Sequence, residues 1–283
     1  MKKLIVTADD VGIHRGMTDG ALEAHRRGIV SACSLVACGR DFERAVGLLR
    51  GCLTLSVGAH LTLVEEEPVL PASSIPTLTR GGRFHRDFRR FFLLYAAGRI
   101  DGREIECELR AQIDRIVAAG IRVDHLNGHQ HLHLLPAIFR IVMRLAEEFE
   151  VPFVRVASDA GGTRRMAIRS LEVSVLNGFG RFARSRFAPP LLTTEATIGI
   201  EGAGHLTVRR IEVLLARIST TAELVVHPGV DNEDISRVYD WGYDWERELE
   251  ALCDPSLREM IRREAIELAS PRSLALSAAG PRI

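Results

Sequence analysis

Strand-length apolar runs alternate with stretches of helical periodicity along most of this chain. "KLIVTAD" is followed by an amphipathic segment from Gly16 to Arg27, then "SACSLVAC", a short helical segment from Phe42 to Leu49, and "LSVGAHLTL". The rhythm continues with a helical segment around Arg103 to Ala118, the strand-like "IRVDHLNGH", a helix opened by Pro136, "VPFVRVAS" and, much later, "AELVVHPG". Such alternation predicts an α/β fold with a mainly parallel sheet wrapped by helices, a sheet able to close into a deformed (β/α) barrel. The first helix ends on "HRRG", with basic residues at the negative end of the helix dipole and Gly28 placed for a left-handed C-cap. His25 therefore has a structural explanation.

Two segments interrupt the rhythm. Residues 64–82, "VEEEPVLPASSIPTLTRGG", read as a long loop leaving a strand end, the kind of loop that often covers a site. Residues 160–190 read as an insertion with helices of its own. Neither resembles a linker, so a single domain over 1–283 is expected, with insertions near 64–100 and 160–190.

Composition narrows the function classes. At 283 residues and 46% hydrophobic content the chain can bury a sizeable core. Lys+Arg and Asp+Glu are 37 each, so a nucleic-acid-binding surface over the whole molecule has no electrostatic support. The apolar run in "MKKLIVTADD" stops at Asp9 and Asp10, short of a secretion signal, and no run approaches the ~18 residues of a membrane span. A soluble, cytoplasmic protein is expected. The five cysteines contain no CxxC and read as buried thiols. Residues 80–99 and 164–187 each carry six arginines among phenylalanines. Both suit either an interfacial segment docking a substrate rim on the inner membrane or an ordinary amphipathic helix.

The chemistry gathers at strand exits: Asp9 and Asp10 in "TADD", His60 in "VGAH", the histidines of "NGHQHLH", and His227 in "VVHPG". In parallel α/β folds ligands and catalytic groups collect outside the carboxyl ends of strands. Alone, Asp10 could cap the next helix, His60 could be a core histidine and His227 could end a strand. Their joint placement favours a site. In "VDHLNGHQHLHLLP", His129, His131 and His133 alternate. Residues two apart diverge by about 200° on a helix, and on a strand lie roughly 6.5–7 Å apart, so one or two can reach a single ion and three require a bend. Adjacent Asp9 and Asp10 can divide the work between metal ligand and general base.

"TADDVGIHRGMTDGALEAHRRGIVSACSLVACG", "VGAHLTL", "HLNGHQHLHLLP" and "ELVVHPG" resemble the YdjC-like (ChbG-type) carbohydrate deacetylases in order and spacing through about residue 230. "VEEEPVLPASSIPTLTRGGRF" and the asparagine of "HLNGHQH" look most like the hopanoid-biosynthesis-associated, HpnK-type members. The resemblance implies a deformed barrel, one divalent cation (magnesium or zinc) and removal of an N-acetyl group from an amino sugar. It implies Asp10, His60 and His129 as metal ligands, Asp9 as general base and His227 as general acid. His131 and His133 would be supporting or substrate-side neighbours. Asn127, which stands where many relatives have aspartate, would orient by hydrogen bonding. The implied substrate is an N-acetylglucosaminyl-bacteriohopanetetrol glycolipid or a chitooligosaccharide such as chitobiose, and a homodimer is compatible with this. A two-metal phosphoesterase and a non-catalytic metal-binding protein are the competing readings.

Overall fold

Strand β1 (Lys2–Val11) has three parallel partners, and the sheet grows outward from it. The computed structural model describes residues 2–86, 88–156, 178–180 and 192–278. Strand β10 (Ile266–Ala269) pairs with residues 2–5 of β1 and β2 (Ala32–Leu35) with its C-terminal half, while β9 (Thr221–Val226) pairs along residues 3–8. Outward from β2 follow β3 (Ser56–Leu61), β6 (His125–Gly128) and β7 (Phe153–Val154), and outward from β9 lies β8 (Ala196–Ile198). All these ladders are parallel. The sheet curls into a half-barrel with β7 and β8 as its ends, and Thr197 Oγ1 donates to the Val156 carbonyl at 3.3 Å between them. The expected α/β architecture is present, while the strand ladders of the described residues stop short of a closed ring.

Alternation along β1 assigns each residue a layer. Leu4, Val6 and Ala8 join the large core under the helices. The opposite parity faces the barrel interior, where Ile5 packs with Ala32, Phe153 and Ala269. Thr7 above it donates to Glu223 at 2.7 Å, and Asp9 above that meets Arg155. The interior thus passes from an apolar floor to a charged upper layer at the strand C-termini. Gly58 on β3 is needed in that layer because a Cβ there would overlap the His125 ring.

Several local expectations change. Helix α1 (Arg15–Arg27) is capped by His14, whose Nδ1 accepts from the Gly16 amide at 3.1 Å, so Asp10 is free of that duty. Gly28 has φ −108°, not a left-handed conformation; its glycine is required because a Cβ would run into the Leu252 carbonyl. "IRVDHLNGH" supplies only four strand residues. The chain then tightens into a 3-10 turn over His129–Leu134, with Gln130 (φ 50°) and His131 (φ 56°) left-handed. The three alternating histidines therefore lie on a turn rather than along one strand face, which is the bend that their spacing demands. Of the cysteines, Cys33 and Cys38 are buried, Cys52 and Cys253 half-buried, and Cys107 exposed on α4 (Gly102–Ala118), correcting the reading of all five as buried.

The loop after β3 is strapped to α4. Glu108 accepts from the Val69 and Leu70 amides at 2.9 and 3.0 Å, and Glu104 accepts from the Thr77 amide at 2.8 Å. Beyond it come a hairpin of β4 (Thr79–Arg80) and β5 (Arg83–Phe84) and then α3 (Phe88–Ala96). Phe84 and Phe91 are buried, and Phe88 and Phe92 pack half-buried against the core. The apolar side of this arginine-rich segment is thus taken up internally, as in an ordinary amphipathic helix. Apart from Gly178 to Gly180, the second arginine-rich segment lies outside the described residues. Among the described residues no helix is long and apolar enough to cross a membrane.

Candidate metal and catalytic site

A bulge at the end of β1 brings both paired acids to one place. The β1–β2 register shifts between Ala8 and Val11, and Asp10 is left-handed at φ 64°. Strict strand alternation would send Asp9 and Asp10 to opposite faces. Instead Asp10 Oδ1 lies 3.2 Å from His60 Nε2, and Asp9 Oδ1 lies 4.0 Å from His60 Nδ1. A left-handed non-glycine residue costs of order 1–3 kcal/mol and persists where surrounding structure enforces it.

Asp10, His60 and His129 form the candidate ligand set: one donor atom from each lies within 4.8 Å of the others, and all three residues are buried. His129 Nδ1 lies 2.9 Å from Asp10 Oδ1, and its Nε2 lies 3.2 Å from Glu65 Oε2. Hydrogen bonding shows that this set fits a cation. Asn127 donates its amide to Asp9 Oδ1 at 3.0 Å and to Ser34 Oγ at 2.7 Å, so its carbonyl oxygen faces His60 Nδ1 at 2.8 Å. That oxygen only accepts, so His60 carries a proton on Nδ1 and presents Nε2 to Asp10. Nε2 and the Asp10 oxygen, 3.2 Å apart, can hold either a proton or a metal cation between them. Buried Asp9 and Glu223 share the Arg155 guanidinium, whereas Asp10 is faced by imidazoles. Asn127 bridges Asp9 and His60 through these bonds, and an acid with two imidazoles suits a zinc-like or other divalent ion.

The titration behaviour has the same cause. Burial lowers His129, but the Asp10 charge and hydrogen bond, with Glu65, outweigh it and push its pKa up to about 10. Burial raises the Asp10 carboxyl, and His129 and His60 hold it well below the usual range. A position where two carboxylates draw a proton onto imidazole is one where a cation can take the proton's place.

Asp9 is enclosed differently. Its Oδ2 accepts from Arg155 Nη1 at 2.5 Å, and its Oδ1 accepts from Arg155 Nη2, Ser34 Oγ and Asn127 Nδ2, each at 3.0 Å. Arg155 grips Glu223 as well, with Nε to Oε2 at 3.0 Å and Nη2 to Oε1 at 2.8 Å. Burial raises the Asp9 carboxyl, but the Arg155 charge, with His60, the Arg155 hydrogen bonds and His227, overcomes it and holds Asp9 below the carboxylate range.

His227, just beyond β9, has Nε2 3.8 Å from Asp10 Oδ2 and Nδ1 3.9 Å from Glu248 Oε1. Its backbone amide donates to the same Glu248 oxygen at 2.6 Å. Burial lowers His227 against the pull of Asp10 and Asp9, whereas burial pushes Glu248 up to about 7 against its backbone hydrogen bonds. His133 donates Nε2–H to the Arg155 carbonyl at 3.0 Å and is driven down to about 3 by burial, a neutral prop under the Arg155 backbone. His131 is half-buried and well below its ordinary value, through burial and then Arg155 and His133. The structure therefore brings Asp9, Asp10, His60, Asn127, His129 and His227 together, with His133 behind them and His131 at the turn.

Glu65, Ser34, Arg155, Glu223 and Glu248 escaped the sequence reading. Arg155 in "VPFVRVAS" and Glu223 in "AELVV" carried a signal, since opposite charges inside two apolar strand runs must find each other when both strands are buried. Glu65 carried none, because it depends on the loop turning left-handed at φ 70°. Its contact makes it the carboxylate that orients His129. Replacing Glu65 by glutamine should weaken divalent-ion binding by about 10–100-fold, measured by competition with a chromogenic chelator; an unchanged affinity would remove that role.

A curled parallel sheet with an acid and two histidines gathered at its strand ends defines an α/β half-barrel protein with a cation-binding geometry. The chain belongs to the YdjC-like protein family, whose model matches residues 3–263. It is 29% identical over 273 residues to a carbohydrate deacetylase of Listeria monocytogenes, covering 96% of this chain and 100% of that one. It is 30% identical over 273 residues to a chitooligosaccharide deacetylase of Proteus mirabilis, covering 96% and 98%. A carbohydrate deacetylase of Brevibacillus brevis is 46% identical over 151 residues, 53% of this chain and 58% of that protein. Among solved structures, an Enterococcus faecalis protein named for cellobiose-phosphate cleavage superposes with TM-score 0.77 at 26% identity, covering 96% of this chain and 98% of that one.

Proposed function

We propose that the protein is a carbohydrate N-deacetylase that hydrolyses the acetamido group of an amino sugar with the help of one divalent cation held by Asp10, His60 and His129. The observation that carries this reading is the convergence of those three donors beside a second, separately held carboxylate, Asp9. A divalent ion there supplies a Lewis acid that polarises an acetyl carbonyl and makes a water easier to deprotonate. Asp9 accepts the water's proton, its position set by Arg155, Ser34 and Asn127. His227 delivers a proton to the departing amine. Glu248 holds the residue in place by accepting from its backbone amide at 2.6 Å. Asn127 and Glu65 keep the two ligand imidazoles in their binding tautomers.

The names of the relatives support a carbohydrate substrate, and that of the Proteus mirabilis protein supports a chitooligosaccharide. The lipid-linked N-acetylglucosaminyl substrate rests on "VEEEPVLPASSIPTLTRGGRF" and "HLNGHQH", and it would bring the protein to a membrane surface. Acetate release from N-acetylglucosamine, diacetylchitobiose and an N-acetylglucosaminyl lipid tests both. Release from at least one N-acetylated sugar is expected, and release from none in the metal-loaded protein would sink the proposal.

A further inference from the structure

The short segment "YDWGYDW", residues 239–245, holds both tryptophans of the chain and two of its three tyrosines, and it forms a wall of the site. Trp241 stands 5.4 Å, ring to ring, from His129, and Tyr243 stands 5.3 Å from His227. Their own centroids are 5.7 Å apart. Both are half-buried, whereas Tyr239 and Trp245 behind them are buried at 7% and 1% exposure.

The wall is rigidly mounted. Tyr239 donates its hydroxyl to the buried Glu66 at 2.8 Å, tying the segment to the loop that carries Glu65. Trp241 packs on Tyr239 at 5.1 Å and on Trp245 at 6.3 Å. Gly204 makes room for the Tyr243 ring, since a Cβ there would overlap it, and the Asp244 amide donates to the Gly204 carbonyl at 2.9 Å. Half-buried aromatic side chains, fixed before any ligand arrives, suit a flat partner with an apolar face and a polar rim. A pyranose ring is such a partner, with C–H groups on its faces and hydroxyls around its edge.

We propose that Trp241 and Tyr243 form the platform on which the pyranose ring of the substrate lies, with its acetamido group directed to Asp10, His60 and His129. This rests on the deacetylase reading and adds a specificity-determining surface to it. Trp241 supplies the larger face, and Tyr243 closes the side toward His227.

The test uses two readouts. Titration of the wild type with chitobiose, the deacetylated disaccharide, should change tryptophan emission saturably, and Trp241→Ala should abolish that change although Trp245 still emits. On diacetylchitobiose, Trp241→Ala should raise KM roughly tenfold or more with kcat within about threefold, and Trp241→Phe should return KM to within about threefold of wild type. No saturable response in the wild type, or an unaltered KM in Trp241→Ala, overturns the platform. Loss of kcat and of the thermal transition without rescue by phenylalanine also overturns it, because a purely structural ring behaves that way. Acetate release without a chitobiose response removes the platform and leaves the deacetylase; a response abolished by Trp241→Ala, with no acetate from any sugar, does the reverse.

Discussion

Replacing Asp9 by asparagine should lower kcat for acetate release by about 10²–10⁴-fold while leaving one divalent ion bound per chain. Asparagine preserves the shape and keeps an acceptor for Arg155, but its amide cannot take a proton from water. The proposed ligand atoms belong to Asp10, His60 and His129, so metal content measured by elemental analysis should match the wild type. Arg155 keeps both of its bonds to Glu223 in this variant, which limits the structural cost. The outcome also separates competing readings. Turnover within about tenfold of wild type would pass the base role to His227, whose burial keeps it below its ordinary pKa and able to accept a proton. Loss of the ion with the activity would make Asp9 part of the metal site. A non-catalytic metal-binding protein would show no acetate release before or after the change.

Replacing Arg155 by methionine should destabilise the fold by about 3–5 kcal/mol, the scale for breaking a buried charge pair from one side. In a chain of this size that is a fall in melting temperature of roughly 6–20 °C. Arg155 is fully buried and makes four hydrogen bonds, two to Asp9 and two to Glu223, so methionine leaves two carboxylates facing an apolar side chain. The pH dependence has a definite sign. In the wild type, Asp9 is held below its ordinary value, so its contribution is present above the unfolded carboxylate pKa and is lost as pH falls through the lower folded value. In the variant the unpaired carboxyls rise and become protonated as pH falls. The gap between the two proteins should therefore be widest at neutral pH and narrow toward acid, as read from thermal melts at pH 7 and pH 4. A constant gap would mean that packing of the arginine stem, not its charge, carries the stability.

Much of the site was legible because parallel sheets deliver strand ends to one rim. "TADD", "VGAH" and "VVHPG" each end an apolar run, so a βαβ rhythm alone puts Asp9, Asp10, His60 and His227 on the same side. The helix from Phe42 to Leu49 and the one opened by Pro136 likewise follow from local periodicity and the fixed φ of proline. Backbone conformation was harder. The left-handed states of Asp10, Glu65, Gln130 and His131 are fixed by the surrounding structure rather than by any hydrophobic period, and those states aim the proposed ligands.

The sequence by itself determined the alternation of strands and helices, the rim on which the chemistry collects, and the residue types available there, because these depend on hydrophobic period and on the direction of parallel strands. Only the tertiary structure decided that Asp9 and Asp10 serve different partners, that Arg155 and Glu223 anchor one of them, and that Glu65 reaches His129 across a sequence separation of 64. The same holds for "YDWGYDW", an unassigned aromatic run in the chain and a wall beside His129 and His227 in the fold. The physical reason is common to all of these: they are contacts between segments far apart in the chain, whose geometry is set by a bulge, a left-handed turn and close glycine packing.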